Sequence, residues 1–487
     1  MNGKIKGIIA CAAIVVCLGG ALAVLKLTEK TEVDNSSQAS SQVESKVDKI
    51  MLTELSTEKI SSVDVSNSFG TFTVKKSESG KGTWSIPALE GLNQSVAEQT
   101  SLIKSCAELK AKKMVEENAG DTDKYGFGNP RGSFVINLSD GTKKSFEVGD
   151  ILPEEKNYCY FREADSKTIY TISDYDVSRL LKDVKEFLNK TLIEKPTEEE
   201  EIYGKLTVQR PDFEKDMIFT DDTNESSMMS AQVMISPIYS YLNGTNSTST
   251  THGIWSLKAD YAEVIFPEAD DLKKYGLDKP CTTVLYSGNG KEYKFTIGDP
   301  IYLKDTDGNA TTVIDAYYCY LEGVEGTDCI WVVASDLLPW TTVVPEDVIT
   351  SVMTYNDITS LDEIVVDAEG KSIVYGIEAD DEDVTSATID GKDVNVDQFK
   401  SFYQYILTCP TSEIYSTDPQ EERFLSIDIK SANGGDKLEF FKDSTTERKA
   451  IVKLNGVTSY RIPIKWTEKF VKNITLLDEG KDVEESY

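Results

Sequence analysis

The sequence predicts an α+β fold: three tandem modules of antiparallel sheet with covering helices, following one N-terminal transmembrane helix. Three observations predict it. A segment occurs twice, about 150 residues apart, as DKYGFGNPRGSFVINLSDGTKKSFEVGD from Asp123 to Asp150 and KKYGLDKPCTTVLYSGNGKEYKFTIGD from Lys273 to Asp299, and self-similarity at such a period marks a repeated structural unit. Short runs alternate apolar and polar residues between glycine-rich turns, the pattern of half-buried strands. Lys4 and Lys6 precede an uncharged run of 19 residues, Gly7 to Leu25, which as a helix spans roughly 28 Å, about one hydrocarbon core.

Taken in order, residues 1–30 form the anchor. The positive flank keeps the N-terminus cytoplasmic and sends the rest of the chain across the membrane. Ala21-Leu22-Ala23 also resembles a signal-peptidase site, so cleavage stands beside the uncleaved anchor, which the length of the run favours. Residues 31–50, rich in Ser and Gln, have the composition of a flexible tether.

The first module, 51–194, opens on strands whose Val63 and Val65, Phe72 and Val74, and Trp84 and Ile86 each share a face. A helix from Ser95 to Leu109 follows, with Val96, Leu102, Ile103, Cys106 and Leu109 as an apolar stripe. Then comes a corner. Gly126 takes a positive φ to end a helical turn, Tyr125 packs over it, and Pro130 presets the entry to a strand. Phe134, Ile136 and Leu138 alternate in that strand and Phe146 and Val148 in its partner, around Asp140-Gly141. Gly149 ends the hairpin, Tyr158-Cys159-Tyr160 marks a third strand, Ile169-Tyr170 a fourth, and Asp174 to Asn189 caps the sheet.

The second module, 195–346, repeats these parts. Tyr275, Gly276, Pro280 and Gly298 stand for Tyr125, Gly126, Pro130 and Gly149, and Tyr318-Cys319-Tyr320 for the paired-tyrosine strand. Ile330-Trp331 marks its fourth strand, and Ser335 to Ile349 a shorter, proline-broken cap. The third module, 347–477, fits the template without the tyrosine-glycine corner. A helix at Val396 to Leu407 precedes strands through Leu425, Ile427 and Ile429 and through Leu438 and Phe440. Strands with Ile451 and Leu454 and with Tyr460 and Ile462 follow, and Trp466 to Leu476 closes as a helix. An acidic tail occupies 478–487.

Composition excludes several functions. With 83 acidic and 51 basic residues the net charge is −32, which repels phosphate backbones and argues against nucleic-acid partners. The six cysteines beyond the membrane run, Cys106, Cys159, Cys281, Cys319, Cys329 and Cys409, include no C-x-x-C pair, so neither a zinc site nor a redox motif is expected. Cys159 and Cys319 read as small buried residues at equivalent strand positions. Cys319 and Cys329 flank one turn out of register, which leaves a disulfide between them open.

No residue set reads as catalytic, cofactor-binding or metal-ligating. The sole histidine, His252, follows a polar run from Asn243 to Thr251 that reads as a loop and gives a catalytic base no rigid support. Asp380-Asp381-Glu382-Asp383 and Glu198 to Glu201 read as solvated loops, although carboxylates are numerous enough to leave a hydrolase as the least favoured class. Asp305-Thr306-Asp307-Gly308-Asn309 departs from the calcium-loop order, with glycine at its fourth position and Ala316 at the twelfth, and reads as a lengthened hairpin loop. No Walker or dinucleotide motif is present. Tyr158, Tyr160, Tyr317, Tyr318 and Tyr320 read as half-buried sheet residues, with a glycan platform as the alternative.

The order of parts resembles a bacterial family known only as domain of unknown function 4340. The features that carry this are the anchored N-terminus, the Tyr125-Gly126-Phe127 to Pro130 corner with its hairpin ending at Gly149, and the Tyr158 to Tyr160 strand. All but the anchor recur at Tyr275-Gly276-Leu277 to Pro280, Gly298 and Tyr318 to Tyr320. The resemblance covers 51–350 well and the remainder weakly. It implies an extracytoplasmic, single-pass protein associated with gliding-type ABC transport systems. The expectation is therefore a non-enzymatic scaffold or adaptor without a cofactor, held in the membrane by its N-terminal helix and docked on a protein partner of a transport complex. A cell-wall or polysaccharide-binding array is the alternative.

Overall fold

The computed structural model describes residues 50–77, 83–196, 204–229 and 231–487. The predicted membrane helix, the tether as far as Lys49 and the glutamate run at 198–201 lie outside them, while Ile50, expected in the tether, pairs with Ala111 in a strand. Among the described residues no helix is long and apolar enough to cross a membrane.

Residues from Ile50 onward fold into three antiparallel sheets with a few helices, an α+β arrangement. The first sheet runs, edge to edge, Ile50–Met51, Lys110–Glu116, Ile169–Ser173, Tyr158–Glu163, Lys143–Ile151, Gly132–Leu138, Ile60–Asn67, Gly70–Lys76 and Trp84–Ser85. The second runs Tyr261–Ile265, Cys329–Ala334, Ala310–Glu322, Lys291–Lys304, Thr282–Gly288, Lys205–Gln209, Met217–Asp221, Gln232–Ser236 and Ser240–Tyr241. The third runs Val457–Pro463, Lys449–Leu454, Gly434–Lys442, Arg423–Ser431, Glu363–Ala368, Lys371–Ala379, Val384–Ile389 and Lys392–Asp393. All three share one topology. An opening meander departs to one side, a helix intervenes, and a second four-stranded meander returns to pair with the first strand.

One strand distinguishes them. Lys110–Glu116 and Tyr261–Ile265 flank the fourth strand of the returning meander in the first two sheets. In the third sheet that place is reduced to a single bridge, Ile414 to Tyr460. The sheet that lacks the tyrosine-glycine corner therefore also lacks the strand beside which the corner sits.

The helix slot is filled differently each time. In the first sheet it is α1, Val96–Ala107, capped by the Ser95 hydroxyl accepting from the Glu98 amide, and it buries Leu102, Ile103 and Cys106. Val96, expected in that stripe, is 51% exposed because it sits in the first turn, before the helix reaches the sheet. In the third sheet the slot holds Val396–Leu407, which buries Phe399, Phe402, Tyr403, Tyr405 and Ile406. In the second it holds Gly244–His252, the run read from sequence as a loop. Asn243 caps it by accepting from the Thr245 and Asn246 amides, and the Thr248 and Thr251 hydroxyls donate to carbonyls one turn back. Trp340 Nε1 donates to the Thr250 carbonyl from above. Local capping and burial of Ser247, Thr250 and Thr251 thus impose a helix on residues of low propensity.

A continuous apolar cluster extends through all three sheets, from Ile60 and Val63 through Phe219, Phe295 and Trp340 to Phe440 and Trp466. Two small clusters lie apart from it: Ala119, Phe127 and Ile169 with Tyr125 and Tyr160, and Tyr275, Leu277 and Ile330 with Tyr318 and Tyr320. Because side chains alternate across a strand, Cys159 and Cys319 point into the main cluster and the tyrosines beside them point to the opposite face. All six described cysteines are free, and Cys281 alone among them is exposed. The tail folds back on the closing helix Ile464–Asp478, where Asn473 exchanges two hydrogen bonds with the Glu484 backbone.

Candidate functional site

Most of the repeated signature residues converge on two corners of similar construction, while Tyr158 lies outside the first corner cluster. A 3₁₀ turn, Asp123–Tyr125, ends at Gly126 with φ 87°, and a helical turn, Ala269–Lys274, leads through Tyr275 to Gly276 with φ 71°. The Tyr125 ring lies 4.8 Å from that of Tyr160, and the Tyr275 ring 4.5 Å from that of Tyr318. Val148 pairs with Phe161 and its counterpart Ile297 with Cys319, so the structural equivalent of Tyr318 is Tyr160, two residues from the match that the Tyr-Cys-Tyr sequences suggest. Pro130 and Pro280 each lead into a strand, and the amide between proline and strand, of Arg131 or Cys281, donates to the Val148 or Ile297 carbonyl at 2.9 and 3.0 Å. Gly149 and Gly298 lie against the Tyr125 and Tyr275 carbonyl oxygens so closely that a β-carbon on either would overlap them. Tyr158 carries Lys112 Nζ 4.1 Å from its ring centre, and Tyr320 donates to Asp328 at 2.8 Å.

Each corner also recruits a glutamate that the sequence comparison did not single out. The Tyr125 hydroxyl donates to Glu116 at 2.6 Å, and the Tyr275 hydroxyl to Glu263 at 3.2 Å. Both glutamates stand on the flanking strand missing from the third sheet. A lysine completes each set: Lys124 Nζ is 3.0 Å from Glu116 and 4.7 Å from the Tyr125 ring centre, and Lys274 Nζ lies 4.7 Å from the Tyr275 ring centre and donates to its hydroxyl. Hydrogen bonds from Tyr125 and Lys124 hold the Glu116 carboxyl below its ordinary range. Glu116 precedes its tyrosine by 9 residues and Glu263 by 12, so no fixed offset betrays the pair. The arrangement compensates charge and fixes a ring; it places no nucleophile beside a base.

A second constellation lies between the second and third sheets. Asp436, 1% exposed, accepts from the Tyr241 hydroxyl at 2.8 and 2.9 Å on its two oxygens, from Thr354 at 2.5 Å, from Asn356 at 3.0 Å and from Asn455 at 2.9 Å. Asn224 extends this network, donating to Tyr241 at 3.1 Å and to Asn356 at 2.8 Å. Four neutral donors solvate the carboxylate in place of water, which is what permits its burial. Nearby, burial pushes the Asp222 carboxyl up to about 6, with the charge of Asp436 adding to the effect.

The remaining sequence candidates are accounted for locally. Asp380 accepts from the Glu382 and Asp383 amides in an exposed turn. Asp305 accepts from the Asp307 and Asn309 amides at a hairpin tip. Tyr158, Tyr160, Tyr318 and Tyr320 are half-buried, and Tyr317 is buried.

Residues 84–212 match the family model for domain of unknown function 4340. The domain of unknown function 4340 stretch includes the whole first corner and ends in the opening hairpin of the second sheet. No curated protein and no solved structure matches the chain.

Proposed function

We propose that this chain is a membrane-anchored, extracytoplasmic, non-enzymatic scaffold or adaptor, an accessory of an ABC-type transport system. The observation that carries the reading is the use made of polar groups at the repeated corners. Tyr125 with Glu116 and Lys124, and Tyr275 with Glu263 and Lys274, are spent on contacts within the chain, so the repeat supplies a frame that holds outer surfaces in fixed positions. The transport setting rests on the family resemblance, and the anchor on Lys4, Lys6 and the apolar run after them.

Tagged full-length chain, solubilised in detergent from its native membrane, should carry ABC-type subunits with it in fixed ratio. Protease added to intact cells should degrade everything beyond the tether. A specific observation favours a second reading as a polysaccharide binder: an open groove of ≈450 Å³ on the second sheet, lined in part by Lys205, Ser287, Glu292, Tyr293 and Lys294. Retention on cell-wall polysaccharide, with no co-purifying transport subunit, would replace the first reading with this one.

A further inference from the structure

The second sheet carries a part that the first does not. In the first sheet the strands Lys143–Ile151 and Tyr158–Glu163 are joined by the short loop 152–157. Their counterparts, Lys291–Lys304 and Ala310–Glu322, are 14 and 13 residues long and meet at a tight tip, Asp305 to Asn309. The neighbouring strands stop early: Thr282 pairs with Ile297, and Ala334 with Ala316. Beyond Ala316 the two strands pair only with each other, through Tyr302 to Ile314 and Lys304 to Ala310. At about 3.3 Å per residue this arm reaches roughly 20 Å past the sheet.

Its surface is unlike that of a solvated hairpin. Tyr302, Leu303 and Val313 are 42%, 43% and 55% exposed. The same arm carries Asp305, Asp307 and Asp315, with Lys304 as the single cation between Pro300 and Ala316. A two-stranded ribbon gains little stability from its own pairing, and exposed apolar groups ringed by charge mark docking surfaces. Of the candidate occupants, an anionic lipid surface is repelled by the aspartates, and so is a second copy of a chain carrying a net charge of −32.

We propose that this arm is the docking element of the adaptor, and that its occupant is a protein surface with an apolar cleft rimmed by Lys and Arg. Leu303 and Val313, on the face of the ribbon opposite Tyr302 and Ile314, enter the cleft, and the aspartates face its rim. The inference rests on the adaptor reading and narrows it to one structural part.

The test places a photo-crosslinking amino acid at Leu303 or Val313 of the full-length chain in its native membrane, with the exposed Phe69 hairpin as the control position. A crosslink to one protein is expected at 303 and 313 and not at 69, with the captured peptide apolar and flanked by Lys or Arg. Leu303→Asp with Val313→Asp, and separately Asp307→Lys, should reduce recovery of that protein at least tenfold at unchanged thermal stability. Crosslinks confined to lipid or to a second copy of the chain, or no product above the control, would overturn the proposal. Full partner recovery by the arm variants would overturn it while leaving the adaptor standing; absence of transport subunits from the unmodified chain would instead remove the adaptor reading itself.

Discussion

Gly298→Ala is the most direct test of how the corners work. The φ of Gly298 lies outside the left-handed region, so alanine suffers no backbone strain there and the whole cost is steric. The new β-carbon would overlap the Tyr275 carbonyl oxygen and come within 3.1 Å of Leu277 Cδ2 and 3.2 Å of the Gly276 carbonyl carbon. That oxygen already accepts from the Asp299 amide at 3.0 Å. Relief needs a separation of about 1 Å more, which breaks this bond at about 1 kcal/mol and disturbs the packing of Tyr275, Leu277 and Ile330 at about 1–3 kcal/mol. The expected loss is therefore about 2–4 kcal/mol. Gly290→Ala in the same sheet is the control, since Gly290 has φ 70° and open space around it, and only the left-handed backbone costs it about 1 kcal/mol. Urea unfolding followed by tryptophan fluorescence reads both, with Trp331 buried in this sheet and Trp340 buried against its Phe295. Hydrogen exchange at the Asp299 amide reads the corner alone. If Gly298→Ala is no worse than Gly290→Ala and the Asp299 amide stays protected, the close approach is not what holds the corner.

Three further outcomes are expected. Gly126→Val combines a positive φ with a β-carbon 2.6 Å from the Asp150 amide nitrogen, so it should cost at least the 1–3 kcal/mol of a strained position; partner binding should fall only in proportion to lost folding, measured by pull-down against thermal midpoint. Asp436→Ala leaves Tyr241, Thr354, Asn356 and Asn455 without their buried acceptor and should destabilise by about 3–5 kcal/mol in denaturant titration. The Asp222 carboxyl, raised from 3.8 to about 6, binds its proton more tightly folded than unfolded, so its stabilising contribution is complete below pH 3.8 and is lost as pH rises through about 6; thermal midpoints of Asp222→Asn should lack that decline relative to the parent chain.

The sequence discloses what short-range rules control. Alternation at Val63 and Val65 or Leu425, Ile427 and Ile429 marks strands because each has one buried face, and Gly126 and Gly276 are visible because glycine takes their positive φ at the least cost. Long-range partners leave no such trace. Glu116 and Glu263 look like ordinary strand carboxylates until the strand is placed beside its corner. Asp436 follows the Asn433-Gly434-Gly435 turn, where an aspartate reads as a solvated hairpin residue, yet its donors come from positions 241, 354, 356 and 455. The Gly244–His252 helix is hidden for a related reason: its stability comes from the Asn243 cap and from Trp340, which lies 90 residues away.

How far each sheet can stand alone depends on the segments between them. The link after the first sheet bonds strand-like to the second: the Leu192 amide donates to the Leu257 carbonyl, the Ser256 amide to that of Ile193 and the Ala259 amide to that of Lys190, at 2.8 to 2.9 Å. Cutting after Glu194 removes these partners and bares Leu192 and Ile193, each 2% exposed in the intact chain. Losing burial of two such side chains costs about 3–6 kcal/mol as an upper bound. The cut also removes the partners of the Asn93 amide, which donates to the Gly326 carbonyl, and of Lys185 Nζ, which donates to the Glu263 carbonyl, both at 2.8 Å, while the isolated bridge from Gln94 to Leu188 stays inside the fragment. Since domains of this size hold about 5–15 kcal/mol, residues 51–194 should fold cooperatively but melt well below the intact chain. Calorimetry of the fragment decides it: a disordered fragment would mean that the first core cannot close without the second sheet, and a fragment as stable as the intact chain would mean that the link contributes nothing.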